Sequence, residues 1–152
     1  MSELKRILLV EDSDNDVQLT LAALDETNLA NEVDVVTDGQ QALDYLYRHG
    51  PYVQRPGGHP AVVLLDLKLP KLNGLEVLAR LKGDPDLKQI PVVMLTSSRE
   101  EPDLAQAYSL GVNAYVVKPV GFSAFSNALK ELGLFWAILN QPPPGSVRKG
   151  GG

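Results

Sequence analysis

The stretch VVLLDLKLPKLNG, residues 62–74, decides the fold class. Residues 62–65 are apolar at every position, so a strand here buries both of its faces, as strands do in parallel sheets that helices cover on both sides. The carboxylate of Asp66 follows at once. A charge at the end of a buried strand needs a partner or a chemical role, although aspartate is also a common turn residue at such positions.

Similar apolar runs alternate with amphipathic segments along the rest of the chain. The runs predict strands at 6–10, 32–37, 61–66, 91–96 and 114–118. The amphipathic segments predict helices at 13–27, which starts with the capping pattern Ser13-x-x-Asp16, and at 39–49, 73–83, 101–110 and 122–139. Five βα repeats are too few for a closed barrel, so they predict an open, doubly wound parallel sheet of the α/β class.

The composition fits one globular domain with a hydrophobic core. The chain has 152 residues, 44% of them hydrophobic, and its net charge of −5 argues against general nucleic-acid binding. The absence of cysteine excludes disulfides and thiolate chemistry. No apolar run is long enough for a signal peptide or a membrane span, so we expect a cytoplasmic protein without membrane partners. We expect the domain to cover 1–140 and the proline- and glycine-rich segment 141–152 to be a disordered tail.

Polar side chains stand at the ends of four predicted strands. They are Glu11 and Asp12 after the first strand, Asp66 at the end of the third, Thr96 at the end of the fourth and Lys118 at the end of the fifth. Ligands of open α/β sheets bind beyond the carboxyl ends of the strands, so we expect these residues on one rim. Crowded carboxylates favour a cation, and a few hard oxygen ligands suit Mg²⁺. Beside such an ion, Asp66 can attack a phosphoryl group while Lys118 and Thr96 hold its oxygens.

Four segments that contain these residues together resemble the receiver domain of bacterial response regulators. The segments are LLVEDSDND (8–16), LLDLKLPKLNG (64–74), VVMLTSS (92–98) and YVVKP (115–119). The resemblance covers residues from about 5 to 139. It implies a flavodoxin-like (βα)5 fold with strand order 2-1-3-4-5.

The resemblance also implies roles for individual residues. Asp66 is the implied phosphorylation site, which takes a phosphoryl group from a sensor histidine kinase. The implied Mg²⁺ ligands are Asp12, Asp66, Glu11 through water and the backbone carbonyl of Lys68. Thr96 and Tyr115 form the implied switch, in which the hydroxyl moves to the phosphate and the aromatic ring swings inward. We expect a single-domain regulator that signals to an unknown downstream protein through a changed surface, and not a classical enzyme.

Three further segments are similar to single-domain regulators that partner phytochrome-type histidine kinases. They are the insert RHGPYVQRPGGHP (48–60), the segment KGDPDLKQIPVVMLTSS (82–98) and the helix ending LGLFWAIL (132–139). This similarity implies a phytochrome as the kinase partner. The insert is either a docking loop for that kinase or an inert surface loop.

The last predicted helix carries more apolar surface than one contact requires. One stripe seats the helix on the sheet and consists of Phe122, Phe125, Leu129, Leu132, Trp136 and Leu139. Leu134, Phe135 and Ile138 lie away from that stripe. We therefore expect a homodimer through these three residues, unless the chain's own tail or a neighbouring helix covers them.

Two other function classes share parts of the pattern. A pseudo-receiver acts as a binding or scaffold module without phosphorylation, but it loses acids, hydroxyl or lysine that are all present in this chain. A metal-dependent phosphatase with an aspartyl nucleophile resembles D-x-D at the strand end, whereas position 68 is lysine here. A phosphorylated receiver remains the favoured interpretation.

Overall fold

The computed structural model describes residues 6–26, 33–55, 58–96, 101–118 and 121–131. The strands are β1 Ile7–Val10, β2 Val33–Val36, β3 Val62–Asp66, β4 Val92–Thr96 and β5 Ala114–Val117. The helices are α1 Asp14–Glu26, α2 Gly39–Tyr47, α3 Gly74–Gly83, α4 Glu101–Ser109 and α5 Phe122–Glu131, with a short 3₁₀ helix at Gly50–Tyr52. Every predicted strand and helix is present.

Some predictions fall on parts of the chain outside this description. They are the continuation of the last helix to 139, the side chains of its apolar stripe, the proposed dimer residues Leu134, Phe135 and Ile138, and the tail 141–152. Among the described helices, none is long and apolar enough to cross a membrane.

The strands form one parallel sheet in the order β2-β1-β3-β4-β5, which confirms the predicted fold class. Successive side chains of a strand point to opposite faces, and here both faces are covered. Leu8 and Val10 lie on one face with residues of α2, α3 and α4. Ile7 and Leu9 lie on the other face with residues of α1 and α5. This two-sided burial explains why residues 62–65 are apolar without alternation.

The register of the sheet brings the predicted polar residues to one edge. Val10 pairs with Leu65, so Glu11, which follows β1, and Asp66, the last residue of β3, lie at the same level. Thr96 pairs with Val117 at the ends of β4 and β5. Because all the strands run in the same direction, their carboxyl ends form a single rim.

A close backbone contact joins the start of α2 to the loop between β3 and α3. Asp38 caps α2 by accepting a hydrogen bond from the Gln41 N–H at 2.7 Å. Gly39 follows, and a Cβ placed on it would lie 2.1 Å from the Leu72 carbonyl oxygen. The Lys71 ammonium, 3.5 Å from the Asp38 carboxylate, adds an ion pair across the same contact. Only glycine lets the helix approach the loop this closely.

We predict that Gly39→Ala destabilises the fold by about 1–3 kcal/mol, because the added methyl group must displace loop backbone. Urea unfolding followed by circular dichroism measures the change. Gly83→Ala is the matched control, since Gly83 is also helical but a Cβ there meets nothing within 4 Å. Equal stabilities of the two variants would contradict the close contact at Gly39.

Candidate functional site

Three carboxylates meet at the rim where β1 and β3 end. Glu11 and Asp66 are buried, with 0% and 5% of their surface exposed, whereas Asp12 is exposed. One ligand oxygen from each of the three lies within 4.8 Å of the others. At that spacing, two carboxylates repel by about 3 kcal/mol at an effective dielectric constant of about 20. The cluster therefore needs positive charge.

Hydrogen bonds around the first turn fix the position of Glu11. Its backbone N–H donates to the Val36 carbonyl at 3.0 Å, which continues the β1–β2 pairing one residue beyond β1. Its Oε2 accepts a hydrogen bond from the Ser13 N–H at 3.2 Å. The carboxylate is thus held over the start of α1.

The loop after β3 fixes the position of Asp66. The Lys68 N–H donates to Asp66 Oδ1 at 3.4 Å. Gly74, the first residue of α3, lies so close that a Cβ on it would be 2.3 Å from the Asp66 carbonyl oxygen. A larger residue would push α3 and its loop away from the carboxylate. Lys68 lies in this loop with its side chain exposed, and its carbonyl as a metal ligand stays a prediction.

The ammonium of Lys118 lies among these carboxylates. Its Nζ is 2.5 Å from Glu11 Oε1, 3.2 Å from Asp66 Oδ1 and 3.0 Å from Asp16 Oδ2. The backbone places this residue, because its N–H donates to the Thr96 carbonyl at 2.8 Å and so extends the β4–β5 pairing. Thr96 itself is buried, with 1% of its surface exposed. The structure therefore places all the predicted strand-end residues on one rim.

The proton affinities of the two central groups follow from burial and charge. Burial raises the pKa of Glu11 to about 7, with the neighbouring Lys118 ammonium opposing the rise and the Asp66 charge adding to it. Burial works against the charged form of Lys118, but the neighbouring carboxylates outweigh it and raise the pKa of the ammonium above its usual value. Lys118 therefore stays charged at neutral pH, and further positive charge beside Glu11 would favour its carboxylate form.

The oxygen atoms of the cluster fit a divalent cation. Glu11 Oε1 is buried, and no described residue gives it a well-directed hydrogen bond, although Lys118 is its ion-pair neighbour. A buried carboxylate oxygen in this state retains a lone pair for a cation or a bridging water. With Asp12 and Asp66 beside it, the donor set consists of hard oxygens, as Mg²⁺ prefers.

Asp16 is a neighbour of the site that the sequence pattern assigned to helix capping alone. Its backbone N–H takes part in the cap, because it donates a hydrogen bond to Ser13 Oγ at 3.3 Å. Its carboxylate instead contacts Lys118, which lies 102 residues further along the chain. Only the fold brings the two together, although a fourth acid within LLVEDSDND was a usable signal.

Tyr115 lies on the outer side of β5 rather than in the core. Its surface is 36% exposed, and its ring meets that of Tyr108 in α4 edge to face, with centroids 5.9 Å apart. The two rings line an open groove of about 510 Å³ together with Val117, Ala124 and Asn127. The ring is thus in the outward position from which the predicted switch would start.

The insert at 48–60 is anchored to α2 by a buried arginine. The Arg55 guanidinium lies 4.0 Å above the centroid of the Tyr45 ring. Its Nε donates to the Tyr45 carbonyl and its Nη1 to the Gly58 carbonyl, each at 3.0 Å. Val53, in contrast, is 62% exposed. The described part of the insert is therefore held against α2, and Val53 is an exposed apolar residue on its outer side.

Comparison with known proteins agrees with this site. The response regulator receiver domain matches residues 7–130. The response regulator Rcp1 of Synechocystis is 41% identical over 132 residues, which are 87% of this chain and 88% of Rcp1. The Mn²⁺-bound structure of Rcp1 superposes with a TM-score of 0.71 at 40% identity, covering 90% of each chain.

Two further solved structures are similar. The bacteriophytochrome response regulator AtBRR has a TM-score of 0.83 at 63% identity, covering 92% of this chain and 100% of its own. The phosphorylated cyanobacterial phytochrome response regulator RcpA has a TM-score of 0.75 at 41% identity, covering 89% of this chain and 95% of its own. The chain thus belongs to the response regulator receiver family and is related to phytochrome response regulators.

Proposed function

We propose that this protein is a phosphorylated response regulator in which Asp66 accepts a phosphoryl group from a histidine kinase. The observation that carries the proposal is the buried Asp66 carboxylate with the Lys118 ammonium 3.2 Å away. Receiver domains as a class signal through binding surfaces and are not classical enzymes. The phosphoryl transfer described below therefore modifies the chain's own Asp66.

The charges on the rim support attack by Asp66 on phosphorus. One of its oxygens forms the new bond to phosphorus as the bond to the kinase's histidine nitrogen breaks, and that nitrogen keeps the electron pair. Lys118 lies where its ammonium can pair with a phosphoryl oxygen, and the Thr96 hydroxyl comes from the neighbouring strand end. Mg²⁺ held by Glu11, Asp12, Asp66 and the Lys68 carbonyl would neutralise charge on the phosphoryl group.

Relatives support the metal and the modification. The Rcp1 structure contains Mn²⁺, and RcpA was solved in a phosphorylated form. Mn²⁺ takes the same carboxylate and water ligands as Mg²⁺. The acidic cluster of this chain offers such ligands, so we assign Mg²⁺ as its physiological cation.

The kinase partner is, in this proposal, a bacterial phytochrome. The similarity to AtBRR, at 63% identity, supports that assignment. The insert supplies a surface for docking, since Arg55 holds it against α2 and Val53 is exposed. The cytoplasmic location expected from the sequence stays a prediction.

The output surface is, in this proposal, the face formed by α4, β5 and α5. Tyr108 and Tyr115 expose their rings there beside Ala124 and Asn127. Phosphorylation would draw the Thr96 hydroxyl toward the phosphate and let the Tyr115 ring turn inward, which changes the shape of this face. A homodimer on the same face would then depend on phosphorylation.

The alternative of a pseudo-receiver is disfavoured by the residues at the rim. The Lys118 ammonium lies 3.2 Å from Asp66, and Thr96 ends the neighbouring strand, which supports phosphorylation. The phosphatase alternative is also disfavoured, because the exposed Lys68 occupies the position where that class has its second aspartate.

We predict that the chain takes one phosphoryl group on Asp66 and that Asp66→Asn takes none, because the amide is not a nucleophile. The measurement is intact mass after incubation with Mg²⁺ and either acetyl phosphate or a bacteriophytochrome kinase. Equal modification of Asp66→Asn would place the acceptor elsewhere. Labelling by acetyl phosphate without transfer from the kinase would contradict the phytochrome partner alone.

Mg²⁺ should raise the melting temperature, because it relieves the repulsion within the cluster. The expected stabilisation is about 2.7 kcal/mol at a hundredfold excess over the dissociation constant. Asp12→Ala should abolish this rise, whereas Asp14→Ala, which removes an exposed acid of the first turn of α1, should retain it. Thermal unfolding with and without Mg²⁺ checks both variants, and a full rise in Asp12→Ala would remove Asp12 from the metal site.

Sedimentation velocity at micromolar concentration tests the dimer and its switch together. We expect beryllofluoride, a phosphoryl analogue, to strengthen dimerisation when Mg²⁺ is present. Phe135→Glu combined with Ile138→Glu should yield monomers. Leu19→Glu combined with Val53→Glu, which charges two other exposed apolar positions, should still dimerise. A parent protein that is monomeric under both conditions would defeat the proposal.

A further inference from the structure

Asp16 has a position that neither helix capping nor metal binding explains. It is the third residue of α1, and its side chain is 31% exposed. Its Oδ2 accepts a hydrogen bond from Lys118 Nζ at 3.0 Å. The Lys118 side chain is only 10% exposed, so this contact lies at the inner edge of the rim.

The capping arrangement at the start of α1 leaves the Asp16 carboxylate available. In a full capping box, this carboxylate would accept the Ser13 N–H. Here the Ser13 N–H donates to Glu11 Oε2 instead, and Ser13 Oγ accepts from the Asp16 N–H. The half-formed box therefore fixes the backbone of Asp16 and turns its side chain toward Lys118.

The three carboxylates around Lys118 differ in what else they can do. Glu11 and Asp66 belong to the acidic cluster that suits a cation, whereas Asp16 does not. Asp66 is also the proposed phosphoacceptor. Once a cation and a phosphoryl group are bound, those two carboxylates are engaged elsewhere. Asp16 remains the partner of the ammonium.

We propose that Asp16 is a positioning residue that holds the Lys118 ammonium toward the phosphoryl site in every state of the protein. A lysine side chain is long and flexible. An anchor that persists through the reaction reduces the conformational entropy that the side chain loses when a phosphoryl group binds. The inference rests on the proposed function for its use, but the anchoring itself does not depend on phosphorylation.

Two variants separate this role from a structural one. Asp16→Asn removes the charge and keeps the shape, while Asp14→Asn removes a charge from an exposed position in the same helical turn. Both variants lose one acid near the helix N-terminus, so effects on the helix dipole are matched. Asp16→Glu keeps the carboxylate and should rescue the function in part.

The first measurement is the order of the Lys118 side chain in the metal-free protein, from NMR relaxation of its Cε group. We expect order to fall in Asp16→Asn and to be unchanged in Asp14→Asn. The second is beryllofluoride affinity at saturating Mg²⁺, which should weaken roughly 3- to 10-fold in Asp16→Asn, as loss of a charged hydrogen bond predicts. Mg²⁺ affinity alone should change less than about twofold, since Asp16 is outside the metal cluster.

The outcomes distinguish this inference from the proposed function. Unchanged Lys118 order in Asp16→Asn would overturn the anchoring, whatever the parent protein binds. A beryllofluoride affinity of Asp16→Asn equal to that of the parent protein would overturn the positioning role. A parent protein that binds no beryllofluoride would instead contradict the proposed function, and the NMR comparison would still decide whether Asp16 anchors the lysine.

Discussion

The repulsion among the carboxylates at the rim is the constraint on which the rest of the site depends. Glu11, Asp12 and Asp66 place ligand oxygens within 4.8 Å of one another, and two of the three are buried. Such a cluster is unfavourable unless cations are near. Lys118 supplies one positive charge within the chain. The remaining negative charge suits a divalent metal, which in the proposed function would in turn attract a phosphoryl group.

The parallel sheet makes this crowding possible. The strand ends are held in register by backbone hydrogen bonds that continue one residue past the strands, at Glu11 and at Lys118. Glycines at the two loop contacts, Gly39 and Gly74, let helices approach the β3–α3 loop at distances that a Cβ would prevent. The free energy of packing the apolar sheet on both faces thus maintains an arrangement of charges that would not form alone.

The sequence predicted the fold and most of the site for clear physical reasons. Non-alternating strands such as 62–65 indicate a doubly covered parallel sheet, and that architecture assigns strand-end residues to one rim. Side-chain contacts between distant segments could not be predicted from the sequence. Asp16 fitted a capping pattern, and its use by Lys118 depended on where the Ser13 N–H donates. The burial of Arg55 against Tyr45 likewise required the folded insert, because an arginine in a proline- and glycine-rich loop is ordinarily solvated.

The anchoring of the insert keeps the proposed docking surface apart from the acidic cluster. Arg55 joins the insert to Tyr45, whose hydroxyl donates to Asp34 on the edge strand β2. None of these side chains belongs to the acidic cluster. Substitutions on the outer face of the insert, at Val53 for example, can therefore accumulate without disturbing the charges at the rim. In the proposed function, a gene duplicate could thus change its kinase through the outer face of the insert while the residues of the rim stayed the same.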